Sequence, residues 1–450
     1  MTSGHNLRAI LLAGGALING AAMVSKAEAG SFGIREQSTY FTGDAYAGNA
    51  AGVDISSMYW NPAAAAALPG WNTSSSYYGI AVSGPEHATG GDLLAARLPA
   101  STDVGTDSFV TSSYMTYQYS DRLYLGLALD APFGLITKPD NIPWAGSALG
   151  NTTRVFSLEV TPTAAYKITP DVTIGVGVQV EYLQVKLNRD AFIAAGTPLS
   201  PARYFEGDDM NAGVTAGVIW QPMTGTSLGI GYRSGINENP SGTYVRGLSV
   251  LPTTLPVFTG ANAAVTLPDQ VTASFRQIVA PQVTLLGTVE WTNWSRIGNV
   301  SATSTDCPAG VCETLNFNYR DGWYFSLGAE YAYDAQWTFR AGAGYEISPI
   351  TDEVRDTLLP DSNRVHVSAG ATYKWSDKLA INVAYSHIFF DNAPFCVANP
   401  LANAGTSHCV SGTTAEAVLL SGYADPSADI FSVGLNYKLS ASEPLEPYKK

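Results

Sequence analysis

The chain has 450 residues, of which 14% are charged, and a formal net charge of −14. Soluble domains carry about 25% charged residues, and nucleic-acid binding needs a basic face, so composition disfavours an ordinary soluble domain and argues against nucleic acid as a partner. Glycine is abundant at 44 and tyrosine at 24.

The first 29 residues read as a secretory signal. Arg8 supplies a positive start, "AILLAGGALINGAAMV" an apolar stretch of small residues, and "AEAG" a cleavage site after Ala29. A first membrane helix is the other reading; Asn19 and the many glycines and alanines weaken it. The mature chain then begins near Gly30 and contains no run of the ~18 apolar residues a membrane helix requires.

Residues 30–70 show no strand-like alternation. Within "SSMYWNPAAAAALPG", Asn61 is suited to cap a helix, Pro62 to its first position and Ala63 to Ala67 to its body, while Pro69 and Gly70 stop it. A helix of less than two turns is not stable alone in water. Something must enclose it, and the expectation is a plug with short helices inside a barrel. A disordered leader is the alternative, against which stand Phe32, Tyr40, Phe41, Tyr46, Tyr59 and Trp60.

From Trp71 to Leu439 the pattern has period two. Phe431, Val433, Leu435, Tyr437 and Leu439 share one face; Ser432, Gly434, Asn436 and Lys438 share the other. "LAINVAYSHI", "VHVSAGATYKW", "WYFSLGAEYAY" and "WTFRAGAGY" repeat it. Trp323, Tyr331, Tyr333, Trp337, Tyr345, Tyr373 and Trp375 stand near the ends of apolar faces, as in an interfacial girdle. The polar face is small and mixed in charge. Short turns ("YSDR", "KITPDV", "QPMTGTS", "IVAPQ", "YDAQ", "KWSDK") alternate with long connections at 85–107, 134–152, 188–208, 237–261, 298–314, 348–363 and 391–426. Six short and seven long connections join about 14 strands. The fold class is all-β: a transmembrane antiparallel β-barrel over 71–439, with a plug at 30–70 and a tail at 440–450.

The four cysteines form two local pairs, Cys307 with Cys312 and Cys396 with Cys409, both in long loops. Two small disulfides are the reading, although four cysteines allow three connectivities. Neither pair has metal-ligand spacing, and the five histidines are scattered, so neither a metal nor a cofactor is expected. "GTSLG" (Gly225 to Gly229) fits the nucleophile-elbow spacing. Ser227, however, opens a strand after a short turn, where the elbow needs a strand-to-helix turn, and no enzyme is inferred.

Three features bear on a hydrophobic ligand. Loop clusters at Phe192, Ile193, Leu199 and Phe205 and at Leu248, Leu251, Leu255 and Phe258 either form a capture groove or pack on one another. Arg233, Arg276 and Arg340 fall on the lumen face, as carboxylate anchors or as members of an ion-pair ladder with Glu159, Glu290 and Glu330. In the third strand, Asp130, Pro132 and Gly134 mark either a break in the wall or the strand's outer end.

The chain resembles the outer-membrane long-chain fatty-acid transporters (FadL-like, including aromatic-hydrocarbon uptake channels). The resemblance rests on Gly43, Ala45, Ala47, Gly48, Asp54, Ser56, Ser57, Tyr59 and the Asn61-Pro62-Ala63 step. It extends to "APFGLIT", "LGIGYRS", "LPDQVTASF", "VEWTNWS" and the run from Pro360 to His387, in that order. It implies a 14-stranded barrel with an N-terminal hatch, here including Gly43, Tyr46, Asp54, Tyr59, Trp60, Asn61 and Pro62. It also implies ligand capture between outer loops, passage to a tighter inner site and lateral exit where the third strand is kinked. The ligand would be a long-chain fatty acid; aromatic or other hydrocarbons are the alternative, and a general aqueous porin a further one. The setting would be the bacterial outer membrane, with its lipid and lipopolysaccharide around a monomer inserted by the barrel-assembly machinery. Leu439 and the tail "SASEPLEPYKK" depart from the usual aromatic C-terminus, and the cysteines are not a family feature.

Overall fold

The structure is a computed structural model that describes residues 31–92, 98–147, 149–193, 197–246, 257–398, 409 and 418–440. The signal segment lies outside the described residues, as does all of the tail beyond Ser440.

Period-two sequence gives a strand one apolar and one polar face. A sheet of such strands is stable in lipid only when closed, because an open edge leaves backbone groups unpaired. Fourteen antiparallel strands meet that condition. They are β1 (Trp71–Ser83), β2 (Ser108–Gln118), β3 (Leu123–Asp130, resuming at Gly134–Thr137), β4 (Thr152–Lys167), β5 (Val172–Ile193), β6 (Thr197–Met223) and β7 (Thr226–Arg233). The second half comprises β8 (Gln270–Ala280), β9 (Val283–Thr292), β10 (Gly322–Ala332), β11 (Trp337–Ile347), β12 (Arg364–Lys374), β13 (Leu379–Phe390) and β14 (Ser427–Ser440). β14 pairs with β1, Ser427 opposite Ser83 and Ser440 opposite Trp71, which closes the barrel.

The faces follow the alternation. Val365 and Val367 are exposed while His366 and Ser368 are buried; Phe431 and Val433 are exposed while Ser432 is buried. Exposed aromatics gather near strand ends. Trp337 stacks on Phe339 at 5.8 Å, and Trp323 on Phe325 at 6.1 Å.

The connection expected at 188–208 is not a loop. β5 and β6 run through it as a long hairpin, with Ile193 opposite Thr197. At about 3.3 Å per residue, the 22 residues of β5 exceed the roughly 9–11 that cross a membrane, so the hairpin stands above the wall. Neighbouring loop segments extend this sheet: Ser241–Arg246 pairs with β6 and with Val257–Ala263. The end of that strand meets Thr303 and Ala302 of the hairpin Asn299–Thr303/Val311–Asn316, which the Cys307–Cys312 disulfide closes. Tertiary pairing here overrides the Gly and Pro signals. Elsewhere the loops build a second sheet from Pro85–Gly90, Ser101–Asp103, Ala393–Ala398 and Val418–Ala424, next to the Cys396–Cys409 disulfide.

Residues 31–70 lie in the lumen. They contain one α-turn, Thr39–Thr42, and two 3-10 turns, Ile55–Tyr59 and Pro62–Ala66. Asn61 caps as its sequence suggests, its side chain accepting from Ala63 N, but the alanines form a 3-10 turn rather than an α-helix. Contacts with the wall, not helix propensity, set that backbone.

Candidate functional site

The lumen segment touches the wall backbone to backbone. A side chain at Gly231 would place its Cβ 1.7 Å from Trp60 O, and one at Gly229 would lie 1.8 Å from Ala50 O. Glycine is required at both positions by closeness alone. Polar wall residues supply the remaining contacts. Tyr324 donates to Ala45 O at 2.7 Å, and Ser227 to Ala51 O at 2.6 Å. Asn61 donates to Ala50 O at 2.8 Å and to Val218 O at 3.0 Å, and Asn436 donates to Asp54 at 2.5 Å. Gly43 lies against Gly370. Tyr46, Tyr59 and Trp60 pack with Phe41 and Tyr324 in one buried cluster that includes Ala63 to Ala66. Ser227 is thereby occupied in holding this segment.

The start of the segment behaves differently, because it meets a gap. β3 stops at Asp130 and resumes at Gly134. Residues 108–112 of β2 pair with β1, but the β2–β3 ladder begins only at Ser113–Leu129. The segment supplies the missing partners. Ile34 N donates to Pro132 O at 2.8 Å, Gly134 N to Phe32 O at 2.8 Å, and the Gln37 amide to Ala131 O at 2.8 Å. From the other side, Ser112 and Tyr114 donate to Gln37 O at 2.7 and 2.9 Å. Ser31 N donates to Asp361 in the β11–β12 loop at 3.1 Å. Burial pushes the Asp361 carboxyl above its ordinary range, although Arg364 and Ser348 pull it down. Phe32 closes an aromatic cluster with Trp294 at 4.9 Å and Phe133 at 5.8 Å.

Above that cluster lies an apolar groove of ≈ 90 Å³. Leu135 and Val155 come from β3 and β4, Leu183, Val185 and Leu187 from β5, and Phe205 from β6. Ala263, Val265 and Leu267 come from the β7–β8 connection, Val300, Leu315 and Phe317 from the β9–β10 connection, and Leu358 and Leu359 from the β11–β12 connection. A smaller extension adds Tyr204, Tyr244 and Ala302. Below the cluster, and sharing Leu267 with the groove, is a cavity of ≈ 60 Å³ with a mixed polar and apolar lining, beside Pro132 and Phe133.

Of the loop residues expected in a capture groove, Phe205 lines it. Phe258 is 68% exposed and points away. Only the backbone of Phe192, Ile193 and Leu199 is described, and Leu248, Leu251 and Leu255 lie outside the described residues. Sequence reasoning missed the contributions of the β9–β10 and β11–β12 connections. It also missed the upper lumen face, although a signal was there. The inward residues of β5 read Gln179, Glu181, Leu183, Val185, Leu187, changing from polar to apolar partway up.

The three candidate anchors are already paired. Arg233 grips both oxygens of Glu159 at 2.7 and 2.8 Å and donates to Tyr59 O at 3.1 Å. Arg276 and Arg340 both lie against Glu330, at 3.1 and 3.2 Å, and Arg340 also stacks over Tyr40. Arg35 of the lumen segment, not singled out from sequence, bridges Glu290 at 2.6 Å and Glu346 at 3.3 Å. Among the described residues no His, Cys, Asp and Glu group is placed to hold a metal.

The model of the family described as outer membrane protein transport protein (OMPP1/FadL/TodX) matches residues 20–439. The long-chain fatty acid transport protein of Salmonella typhi is 25% identical over 393 residues, which are 81% of this chain and 88% of that protein. Outer membrane protein P1 of Haemophilus influenzae is 26% identical over 402 residues, 80% of this chain and 86% of its own. Among solved structures, a Pseudomonas aeruginosa FadL homologue superposes with a TM-score of 0.79 at 20% identity, covering 91% of this chain and 100% of that one. The Ralstonia pickettii toluene transporter TbuX gives 0.64 at 18% identity, covering 90% and 100%. At such identities the structural likenesses speak to fold.

Proposed function

The chain belongs to the outer membrane protein transport protein family (OMPP1/FadL/TodX), and from that premise we propose that it is an outer-membrane channel for uptake of hydrophobic small molecules. Long-chain fatty acids are the first ligand class, as the names of the curated relatives suggest, and aromatic hydrocarbons the second, after the toluene transporter. One observation carries the reading: an apolar groove among the outer loops leads down to a gap in β3, and the N-terminal segment stops that gap.

A ligand enters the groove by burial of apolar area, at roughly 0.8 kcal/mol per CH₂. Residues 31–37 then shift from the gap, and the ligand leaves sideways between β2 and β3 into the bilayer. Residues 43–66 act as the fixed part of a hatch. An aqueous porin is disfavoured because the lumen is filled by buried side chains, Trp60 and Tyr46 among them. The working unit is a monomer bounded by outer-membrane lipid and lipopolysaccharide, exported by its signal segment and inserted by the barrel-assembly machinery.

The test is uptake of labelled oleate and labelled toluene by a strain lacking its own channel. Entry of either above the empty-vector strain is expected. Entry of neither, with free passage of small sugars, would replace the channel reading with a porin.

A further inference from the structure

The outward face of the wall beside the gap carries two cations that the protein leaves largely unanswered. Val155 of β4 and Val185 and Leu187 of β5 line the groove, so Arg154 and Lys186, next to them in the chain, face away from the lumen. In the ladder Arg154 stands directly opposite Lys186 and, on its other side, opposite Ile136 of the resumed β3. Lys138, exposed and one residue past that ladder, is the next cation on the β3 side.

The aromatic girdle gives their height. Tyr166 is exposed at the inner end of β4, and Phe156, further up the same strand, packs on Tyr182 at 6.5 Å. At ~3.3 Å per residue and a tilt of ~40°, these two levels lie about 25 Å apart along the barrel axis, the height of the apolar band. Arg154 and Lys186 stand just above it, at the headgroup level of the outer leaflet.

Like charges directly opposed are destabilising unless an anion answers them. Lys186 meets Glu206 at 3.5 Å, but with 35% and 40% of the side chains exposed, and such a pair is weak. Glu206 and Asp208 stand on β6, on the far side of Lys186 from Arg154. Arg154 pairs with no carboxylate among the described residues, and its Nε, shielded from solvent, donates to nothing. A comparable outward charge on β14 is provided for within the protein: Asp429, just above Phe431, accepts from Tyr385 at 2.6 Å and lies 2.7 Å from His387 Nδ1.

A planar guanidinium takes two phosphate oxygens, and an ammonium can take a third. Side chains directly opposite on adjacent strands start about 4.5–5.5 Å apart, so one phosphate can touch both. We propose that Arg154 and Lys186 hold a phosphate of an outer-leaflet lipid, of the phosphorylated glycolipid class to which lipopolysaccharide belongs. Its acyl chains then lie on the apolar face beneath, where Val176, Val178 and Val180 of β5 are exposed. The lipid stands beside the gap, because Arg154 adjoins the strand that resumes at Gly134. The inference rests on the outer-membrane placement and not on which ligand the channel carries.

The test offers the purified protein in detergent diphosphorylated lipid A and the same lipid with its phosphates removed, with retention read by native mass spectrometry. The wild type is expected to retain the phosphorylated form about tenfold better, the ratio that charge-assisted hydrogen bonds supply. Arg154→Gln/Lys186→Gln should abolish that preference while heat-modifiable migration stays unchanged. Lys374→Gln/Lys378→Gln, which removes two exposed cations at the inner end of the barrel, should keep it. Equal retention of the two forms by the wild type, or a preference that survives Arg154→Gln/Lys186→Gln, would overturn the inference. So would displacement of the lipid by millimolar inorganic phosphate, which would leave a plain anion site. Each of these results leaves the channel reading standing.

Discussion

The two sides of this barrel are built differently. From β9 to β13 the ladder runs without a register shift; Thr292 to Val283 face Gly322 to Tyr331, and each later strand continues the pattern. Between β2 and β4 it is interrupted, and backbone groups of Ala131, Pro132 and Gly134 turn to the N-terminal segment instead, while those of Phe133 stay with Ser157 of β4. A wall whose every backbone group is paired resists opening, since each broken bond leaves an unsatisfied group in an apolar medium. A wall completed by a separate segment can open by losing that segment alone. The contrast recurs within residues 31–70: the body is pressed on glycines of the wall, while its start is held by hydrogen bonds at the gap, the Phe32 aromatic cluster and the Arg35 ion pairs.

Four experiments would break or sharpen this contrast. The largest effect should come from Gly231→Val, which puts side-chain atoms where Trp60 O now lies. The barrel should still assemble, seen as heat-modifiable migration, but the body should unseat and conductance in planar bilayers rise sharply. A folded, non-conducting variant would show that the wall yields instead.

Next is a reversible lock. Gly33 and Phe133 form an antiparallel bridge, and bridged Cα atoms fall within disulfide range. The Gly33→Cys/Phe133→Cys pair should lose uptake when oxidised and regain it under reductant, with the wild type under the same treatment as control. Undiminished uptake when oxidised would mean that ligands leave elsewhere.

Arg233→Ala should follow, leaving Glu159 buried and uncompensated. Breaking one partner of such a pair costs about 3–5 kcal/mol, to be read from the denaturation midpoint in detergent. Adding Glu159→Gln should recover much of the loss. The smallest effect belongs to Cys307→Ser/Cys312→Ser, because the bridge spans a separation of only 5 residues and stabilisation grows with loop length. Proteolysis of the Asn299–Asn316 hairpin should quicken while the barrel midpoint stays put.

Much of the fold was legible because the barrel repeats one simple rule. Alternation, girdle aromatics and unequal connections each follow from strands that meet lipid on one side, and Phe431 to Tyr437 need no distant residue to declare their face. The site was less legible. Phe205 of one loop cluster lines the apolar groove while Phe258 of the other points outward, and nothing local distinguishes the two. Arg233 and Arg340 read as anchors or as ladder members, and their pairing depended on which glutamate lay across the lumen face. Gly231 gave no signal, since its role is to leave room for a segment some 170 residues earlier in the chain.

By itself, then, the sequence determined the closed antiparallel barrel, the small-residue segment before it and the positions of the turns, because those follow from periodicity and local turn chemistry. Tertiary structure alone decided that the alanines after Asn61 form a 3-10 turn. It also decided that the stretch from Asn188 to Asp208 is ladder rather than loop, and that residues 32–37 complete a broken wall. It likewise set Arg154 opposite Lys186 on the outer face. The first depends on packing against the wall and the others on register between strands, long-range quantities that no single stretch of sequence contains.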